Sequence, residues 1–190
     1  MGEQPDSEKR EARMRKKLFS EIPCIQGPRV TLKRLEDRDA PGLQALVDSP
    51  LVYRYLPTFL FEKRYADARE VIRRLYDEAL KDSLILGIFM GDAFCGLGEL
   101  YGHRDPIHKI SVGYRLLEAC WGKGIATEAL GTVVRYLYDE TDIEIITAST
   151  MVENQASASV LRKNGFSLVT SAVEEDWGYP EPTIVDKWIR

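Results

Sequence analysis

The most informative stretch of this chain reads Cys120-Trp121-Gly122-Lys123-Gly124-Ile125-Ala126-Thr127-Glu128-Ala129-Leu130. It joins a predicted strand, residues 110–117, to a helix whose apolar residues follow a helical period. A turn with two glycines at this point can present several backbone N–H groups to one anion, and the helix N-terminus adds partial positive charge. Glycine lacks the Cβ that would keep a phosphate away from the backbone. The stretch therefore predicts a turn that binds pyrophosphate.

Two common phosphate-binding motifs are excluded, because the stretch has neither a Gly-Lys-Ser/Thr ending nor the third glycine of a dinucleotide fingerprint. It resembles instead the Arg/Gln-x-x-Gly-x-Gly/Ala turn of the GNAT superfamily of acetyl-CoA-dependent N-acetyltransferases, which it matches at Gly124 and Ala126. Trp121 stands where that turn carries Arg or Gln. The longer string Trp-Gly-Lys-Gly-x-Ala-Thr-Glu-Ala is similar to the RimJ/RimL-type branch, which acetylates ribosomal-protein N-termini and in which Trp is common here.

Two further segments carry the same resemblance. Residues 153–166 resemble the superfamily segment Asn-x-x-Ser-x-x-Val-x-x-Lys-x-Gly-Phe and follow a β-rich run at 143–151. Residues 27–35 resemble the opening strand of the RimJ/RimL-like branch. The resemblance implies an α+β GNAT acyl-CoA N-acyltransferase fold, with a mixed, mostly antiparallel central sheet flanked by helices and splayed strands that form a CoA cleft. It also implies acetyl-CoA as the co-substrate.

The composition is typical of a globular protein with one domain. The 190 residues are 44% apolar and 29% charged, with a net charge of −4, and they are numerous enough for a sizeable core. No apolar run is long enough to span a bilayer, and the charged N-terminus does not match a secretory signal. Cys24, Cys95 and Cys120 form no Cys-x-x-Cys pair. We therefore expect no disulfide framework, no metal site and a cytoplasmic location.

A charged N-terminal arm, residues 1–20, is expected to precede a single acetyltransferase domain at 21–190. Basic residues cluster in the arm, with Glu8 and Glu11 among them: Lys9, Arg10, Arg13, Arg15, Lys16 and Lys17. The arm could contact RNA or a ribosome, but a solvated mixed-charge helix or tail is the simpler interpretation. Because the net charge is negative, we expect no nucleic-acid partner. A homodimer stays open, since dimers are common in the superfamily.

The pattern along the chain predicts the remaining elements. Asp39 can cap a helix that Ser49-Pro50 ends, and an irregular aromatic segment follows at 51–61. A helix is predicted at 68–80 and another from Ile125, with a shorter one at 154–164 that Gly165 ends. Strands are predicted at 30–35, 84–90, 94–101, 110–117, 143–151, 166–173 and 183–189.

The resemblance implies that the pantetheine arm lies between the strands at 110–117 and 143–151. Asn154 would hydrogen-bond the pantetheine amides, although it could instead be only a helix N-cap. Ser157 would lie near the CoA sulfur and protonate the thiolate, although a serine in a first helical turn needs no catalytic role. The residues expected to line the thioester and pantetheine are Arg115, Leu116 and Leu117, and those expected at the pyrophosphate are Trp121, Gly122, Lys123, Gly124, Ile125, Ala126 and Thr127.

The general base is the least defined part of the site. In this branch a glutamate often stands two residues ahead of a Gly-Tyr pair, but the matching position here is Ser111, and serine is no base at neutral pH. Glu99 on the neighbouring strand could accept the proton through water if it faces the same cleft; otherwise it is a solvent-facing strand residue. His103 and His108 flank a loop and could reach an amine. A backbone carbonyl or a water chain could also accept the proton.

The acceptor side is expected near the aromatic segment. Tyr53, Tyr55 and Phe59 could hold a peptide N-terminus or an aryl amine, although simple packing also explains them. Residues 177–180 could close the opposite side. The implied reaction is direct attack of a primary amine on acetyl-CoA in a ternary complex, with a protein N-terminus or a small-molecule amine as acceptor. The alternatives are a catalytically silent acyl-CoA-binding module, which Ser111 keeps open, and a ribosome- or RNA-associated protein that uses the basic arm.

Overall fold

The architecture is one eight-stranded sheet with helices packed on both faces. The computed structural model describes residues 20–78 and 83–190. The strands are β1 (Ile25–Gln26), β2 (Val30–Lys33), β3 (Ser83–Met90), β4 (Ala93–Arg104), β5 (Lys109–Leu116), β6 (Ile145–Met151), β7 (Ser167–Glu175) and β8 (Thr183–Ile189). Their spatial order is β1-β2-β3-β4-β5-β6-β8-β7, with β5 and β6 parallel and the other neighbours antiparallel. The expected α+β fold with a mixed, mostly antiparallel sheet is confirmed.

Each face of the sheet is covered by its own helices. These are α1 (Ala40–Asp48), α2 (Pro50–Tyr53), α3 (Ala68–Glu78), α4 (Ile125–Glu140) and α5 (Gln155–Lys163). Helices α4 and α5 share one hydrophobic cluster with the sheet, and α1 and α3 share the other. Strand β3 alternates between them, with Leu84 and Leu86 in the first cluster and Ile85 in the second. A strand buried on both faces needs a continuous apolar run, which explains its sequence.

The strands β5 and β6 separate partway along their length. Their last paired residues are Ser111 and Thr147, although β5 continues to Leu116 and β6 to Met151. Over its whole length from Thr147, β6 pairs instead with β8 on its other side. The two parallel strands therefore open into a gap in the middle of the sheet, as the splayed arrangement expected from the sequence requires.

The predicted turn and helix follow β5 directly. A 3₁₀ turn at Glu118–Cys120 leads to Gly122 and Gly124, whose φ angles are 69° and 75°. Helix α4 begins at Ile125 and buries apolar residues at helical spacing: Ile125, Ala129, Leu130, Val133, Val134 and Leu137. This prediction is confirmed, and so is the helix end at Gly165, which has a φ of 76°.

Some local predictions need correcting. Asp39 precedes α1 but its side chain does not cap that helix; it accepts the backbone N–H of Glu36 at 2.8 Å. Strand β4 extends through Arg104, where a loop was expected, because its outer residues continue to pair with β5. The irregular segment at 51–61 contains the last three residues of α2, which ends at Tyr53. The basic arm and the end of the helix predicted at 68–80 lie outside the described residues.

Two features are absent from residues 20–78 and 83–190. No helix there combines the length and apolar character needed to cross a bilayer. No group of three or more His, Cys, Asp or Glu side chains there is placed to hold a metal ion.

Candidate active site

A cleft of about 1390 Å³ runs through the gap between β5 and β6. The stretch 121–127, named the glycine turn below, and the first turn of α5 form one part of its wall. The aromatic segment after α2 and the loop between β7 and β8 form another part. The cleft therefore connects the predicted CoA side of the sheet with the predicted acceptor side.

The glycine turn owes its shape to backbone conformations that only glycine adopts without strain. A Cβ on Gly122 would meet no heavy atom of the described chain within 4 Å, so the positive φ rather than crowding requires glycine there. Gly124 is the N-cap of α4 and accepts the N–H of Glu128 at 3.0 Å. The first-turn N–H groups of Ile125, Ala126 and Thr127 have no intrahelical acceptor. These three residues line the cleft, and a helix N-terminus favours an anion.

Trp121 forms a wall of the cleft next to this turn. Its indole N–H donates to the carbonyl oxygen of Leu116 at 2.8 Å, and 47% of the residue stays exposed. Leu116 also lines the cleft, whereas Leu117 packs against the second hydrophobic cluster. Lys123 is exposed between the two glycines. Of the residues expected at the co-substrate, Leu117 and Lys123 do not line the cleft.

An ion pair that the sequence analysis missed holds the first turn of α4 to β2. The guanidinium Nε of Arg29 lies 2.6 Å from Glu128 Oε2, and Glu128 Oε1 accepts the backbone N–H groups of Arg29 and Val30 at 2.5 and 3.0 Å. Burial acts to raise the pKa of Glu128, but these hydrogen bonds outweigh it and lower the pKa below its usual value. Sequence proximity gave no signal for this pair, since its members lie on segments far apart in the chain.

Three polar residues meet where α5 begins. Asn154 Oδ1 accepts the backbone N–H of Ser157 at 3.1 Å, so Asn154 is the N-cap of the helix. Ser157 Oγ lies 2.8 Å from the hydroxyl oxygen of Tyr114 on β5. Burial raises the pKa of Tyr114 to about 12, with the Ser157 hydrogen bond acting in the opposite direction. Tyr114 was not among the expected site residues, although the Gly-Tyr pair that contains it was recognised.

A buried charge cluster lies beside the cleft. Arg115 Nε is 2.5 Å from Glu62 Oε1, Nη2 donates to Glu62 Oε2 at 2.8 Å, and Nη1 donates to Glu99 Oε2 at 3.0 Å. The side chains of Arg115 and Glu62 are 2% and 0% exposed. Burial acts to lower the pKa of Arg115, but the two carboxylates outweigh it and raise the pKa. The Arg115 guanidinium therefore stays charged, and it lies between the side chains of Glu62 and Glu99.

Two expected roles change because of this cluster. Arg115 lines the cleft, but its guanidinium is occupied by carboxylates and is not free to contact a thioester. Tyr53 donates its hydroxyl to Glu62 Oε1 at 2.8 Å and lies away from the cleft lining, so it supports the cluster rather than a substrate. Burial, followed by the charge of Glu62, raises the pKa of Tyr53. Glu99 lines the cleft, which a proton route from the amine through water to its carboxylate requires.

Hydroxyl groups mark the point where the strands separate. Ser111 Oγ and Thr147 Oγ1 lie 2.8 Å apart, and Lys109 Nζ donates to Ser111 Oγ at 3.3 Å. Burial and then the charges of Arg104 and Lys187 lower the pKa of Lys109. The position at which the resemblance expects a glutamate therefore holds a small polar network in the cleft floor.

The predicted acceptor side is built from two loops that are joined by hydrogen bonds. Tyr55 and Phe59 line the cleft, and Phe59 is 56% exposed. Thr58 donates its backbone N–H to the carbonyl of Trp177 at 2.9 Å, and the hydroxyl of Tyr179 donates to the carbonyl of Leu56 at 2.7 Å. These bonds fix the aromatic segment against residues 177–180 across the mouth of the cleft.

Charged groups and histidines complete this side of the molecule. Lys187 and Glu175 form an ion pair in the cleft wall, and the Trp177 indole donates to Glu175 at 2.9 Å. His103 lies 3.4 Å from Asp105, and His108 lies 3.3 Å from Asp142. Within the described part of the chain, neither histidine lines the cleft. We therefore assign them no part in proton transfer.

Comparisons with known proteins agree with this geometry. The family model for the acetyltransferase (GNAT) domain matches residues 29–167. The chain is 26% identical to the uncharacterized N-acetyltransferase YoaA of Bacillus subtilis (strain 168) over 149 residues, which cover 76% of this chain and 83% of YoaA.

Solved structures share the fold. RimL, the ribosomal L7/L12 alpha-N-protein acetyltransferase solved in complex with coenzyme A, has a TM-score of 0.73 and 20% identity, covering 90% of this chain and 97% of RimL. The Salmonella typhimurium acetyl transferase that modifies the N-terminal serine of ribosomal protein L7/L12 has a TM-score of 0.74 and 19% identity, covering 88% and 98%. The family match extends from β2 to the start of β7 and includes the split strands and the glycine turn. This chain is a member of the GNAT acetyltransferase family and an acetyl-CoA-dependent N-acetyltransferase.

Proposed function

We propose that the protein acetylates a primary amine by direct attack in a ternary complex, with acetyl-CoA held in the gap between β5 and β6. The observation that carries this proposal is the separation of the two strands after Ser111 and Thr147, beside the exposed N-terminus of α4. The gap offers backbone for an extended arm, and the helix terminus offers N–H groups for phosphate.

Residues on both walls hold the co-substrate in this proposal. The N–H groups of the glycine turn bind the pyrophosphate, with Gly122, Gly124 and Thr127 at its centre. Strand β5 binds the pantetheine arm through backbone groups on the edge that faces the gap, at Tyr114 and Leu116. The alternate residues face β4, where Leu117 donates its N–H to the carbonyl of Cys95 at 2.9 Å. Asn154 keeps its side-chain N–H₂ free for a pantetheine carbonyl, because its helix cap uses only Oδ1. The acetyl thioester supplies the activated acyl group.

Ser157 and Tyr114 carry the last proton transfer. When the amine nitrogen bonds to the acyl carbon and the C–S bond breaks, the Ser157 hydroxyl supplies a proton to the departing sulfur. Tyr114 donates to Ser157 Oγ across 2.8 Å and stabilises the serine oxygen at that moment. The raised pKa of Tyr114 keeps its phenol protonated, which this donation requires.

Glu99 is the proposed acceptor of the amine proton, through a water molecule. It lies on β4 in the cleft lining, with Oε2 bonded to Arg115. The route through water follows from the position of Ser111, where a longer carboxylate side chain would reach the amine directly. Arg115 in turn fixes the orientation of the Glu99 carboxylate.

We propose a protein N-terminus as the acceptor, with a small-molecule amine as the alternative. RimL and the Salmonella enzyme act on the N-terminus of ribosomal protein L7/L12. In this chain, Tyr55 and Phe59 form an exposed aromatic surface at the mouth of the cleft. Such a surface suits an extended peptide better than a small polar metabolite.

Several broader assignments belong to the same proposal. The protein is cytoplasmic, residues 21–190 form its one catalytic domain, and residues 1–20 form a charged arm. Its net charge of −4 argues against a nucleic-acid partner. A homodimer is compatible with these assignments, and the mass of the protein in solution tests it.

One observation favours a second candidate, a catalytically silent acyl-CoA-binding module. The position expected to hold a base is Ser111, which is hydrogen-bonded to Thr147. A module of this kind would bind acetyl-CoA and leave every amine unmodified.

An acceptor screen tests the proposed function. The native protein is incubated with acetyl-CoA and a set of peptides with free N-termini or small primary amines, and both CoA thiol release and product mass are measured. We expect acetylation of at least one peptide, and a loss of turnover of at least about a hundredfold in Gly124→Glu. Ile107→Glu is the control, since Ile107 is exposed, lies outside the cleft and precedes β5 at the end opposite the glycine turn. Binding of acetyl-CoA without any acetylated product would favour the silent module.

A further inference from the structure

An arginine from another strand lies at the edge of the glycine turn. Arg29 precedes β2, and its side chain is 52% exposed. A Cβ placed on Gly124 would lie 3.5 Å from the Arg29 Nη2 atom. The guanidinium therefore lies beside Gly124, the N-cap residue of α4, although Arg29 is not among the residues that line the cleft.

The side chain of Arg29 is held in place before any ligand arrives. Its Nε bonds Glu128 Oε2 at 2.6 Å, and its backbone N–H bonds Glu128 Oε1 at 2.5 Å. This arrangement occupies one of the five guanidinium N–H donors and leaves the terminal groups, including Nη2 next to Gly124, for another acceptor. A fixed guanidinium loses less side-chain entropy when it binds an anion than a free one does.

Charge also requires a cation at this position. Glu128 lies in the first turn of α4, where an unpaired carboxylate would repel an anion bound at the helix N-terminus. Arg29 balances that charge. Trp121, on the other side of the turn, uses its indole N–H for the Leu116 carbonyl and supplies no positive charge.

We propose that Arg29 is a phosphate-binding residue of the acetyl-CoA site, with its Nη2 group donating to the pyrophosphate held by the glycine turn. This inference rests on the proposed placement of acetyl-CoA in the gap between β5 and β6. Arginine suits the role because its planar fork can bond a phosphate oxygen while Nε keeps its bond to Glu128.

The test is calorimetry on native protein and Arg29→Gln, with acetyl-CoA and acetyl-dephospho-CoA as ligands. Gln keeps the backbone N–H bond to Glu128 but removes the positive charge. We expect Arg29→Gln to lower the affinity for both ligands by about tenfold. We also expect the affinity of the native protein to fall more steeply with added salt than that of the variant.

Two control variants make the result specific. Arg38→Gln removes an exposed arginine that is also paired with a glutamate, Glu36 at 3.0 Å, and it should leave affinity unchanged. Gly124→Glu should abolish binding. Thermal unfolding of each unliganded variant shows whether a loss of affinity reflects a loss of folded protein, and Arg29→Lys should recover part of the affinity in a folded protein.

Different failures have different meanings. Native affinity in Arg29→Gln, together with loss of binding in Gly124→Glu, would overturn the role of Arg29 and leave the proposed function standing. If Arg29→Gln binds acetyl-CoA more weakly but acetyl-dephospho-CoA as tightly as the native protein does, the pyrophosphate assignment is overturned, because the contact is then to the 3′-phosphate. Absence of binding by well-folded native protein would overturn both proposals.

Discussion

The hydroxyl oxygens of Tyr114 on β5 and Ser157 on α5 lie 2.8 Å apart. Their hydrogen bond joins the strand on one wall of the cleft to the helix on the other, three residues beyond the point where β5 leaves β6. One hydroxyl can donate to its partner while the partner donates onward. In the proposed mechanism, this pair delivers a proton to the departing sulfur.

Removing either hydroxyl is expected to slow the chemical step. Ser157→Ala and Tyr114→Phe should each lower kcat by about ten- to a hundredfold, since general acid catalysis contributes factors of this size or more. The affinity for acetyl-CoA should stay within about twofold of the native value, because neither hydroxyl is proposed to bind a phosphate. Steady-state kinetics and calorimetry measure the two quantities.

The double variant sharpens that prediction. If the two hydroxyls act as one unit, Ser157→Ala combined with Tyr114→Phe should be little slower than either single variant. Ser167→Ala, at the exposed start of β7, is the control for the chemical change. Equal kcat in the native enzyme and in both single variants would remove the pair from the mechanism.

Arg115 is expected to be essential for stability. Arg115→Met leaves Glu62 and Glu99 without their shared counter-ion, and breaking a buried ion pair in this way costs about 3–5 kcal/mol in the free energy of unfolding. Urea unfolding measures this change. Arg38→Met, which breaks an exposed pair, should cost less than about 1 kcal/mol. A similar small loss in both variants would mean that the cluster does not depend on its arginine.

A compensating variant distinguishes charge from packing at this cluster. Arg115→Met combined with Glu62→Gln removes one of the stranded carboxylates, and we expect it to be more stable than Arg115→Met alone. If the double variant loses as much stability as Arg115→Met and Glu62→Gln lose separately and in sum, packing rather than the unpaired charge dominates.

A change in the aromatic surface at the mouth of the cleft should alter KM for the peptide acceptor and leave KM for acetyl-CoA unchanged. Phe59→Ala is expected to raise KM for a peptide acceptor about three- to tenfold, because an exposed aromatic side chain is lost from the binding surface. KM for acetyl-CoA should not change. Ile107→Ala removes another half-exposed apolar side chain, outside the cleft, and serves as the control. A change in the KM for acetyl-CoA alone would contradict the assignment.

Alkaline pH should destabilise the fold through its buried tyrosines, Tyr76 and Tyr114 among them. Burial raises the pKa of Tyr76 and of Tyr114 to about 12 from an ordinary value near 10. Folding therefore favours the neutral phenols; their contribution is complete below about pH 10 and is lost as the pH rises toward 12. The loss is on the order of 2 kcal/mol for each tyrosine.

Urea unfolding at about pH 9 and about pH 11 measures that loss. Tyr114→Phe, which cannot ionise at this position, should show a smaller decrease between the two pH values than the native protein. An identical decrease in both proteins would show that Tyr114 does not contribute to the alkaline transition.

The local sequence predicted the elements that depend on local rules. The apolar spacing of α4, the two positive-φ glycines before it and the cap at Asn154 all follow from the residues concerned. Asp39 was mispredicted because it bonds Glu36 in the preceding turn, a competitor that its neighbours do not reveal.

The site depends more on long-range contacts, which one sequence does not specify. The gap forms because β5 and β6 stop pairing after Ser111 and Thr147, while β5 stays paired with β4 and β6 with β8, a strand far later in the chain. Arg115 was expected in the cleft because its strand was placed correctly. Its partner Glu62 comes from a separate segment, and the pair draws the guanidinium away from a substrate. The Arg29–Glu128 pair was missed for the same reason.

The most direct test of the central claim is the binding of acetyl-CoA to native protein, Gly124→Glu and Ile107→Glu, followed by calorimetry. The new carboxylate at position 124 would occupy and repel the proposed pyrophosphate site, whereas the one at position 107 lies outside the cleft, before β5 and at the opposite end of that strand from the glycine turn. We predict clear binding to the native protein and to Ile107→Glu, with no measurable heat for Gly124→Glu. Equal binding to all three folded proteins would contradict the placement of acetyl-CoA at the glycine turn.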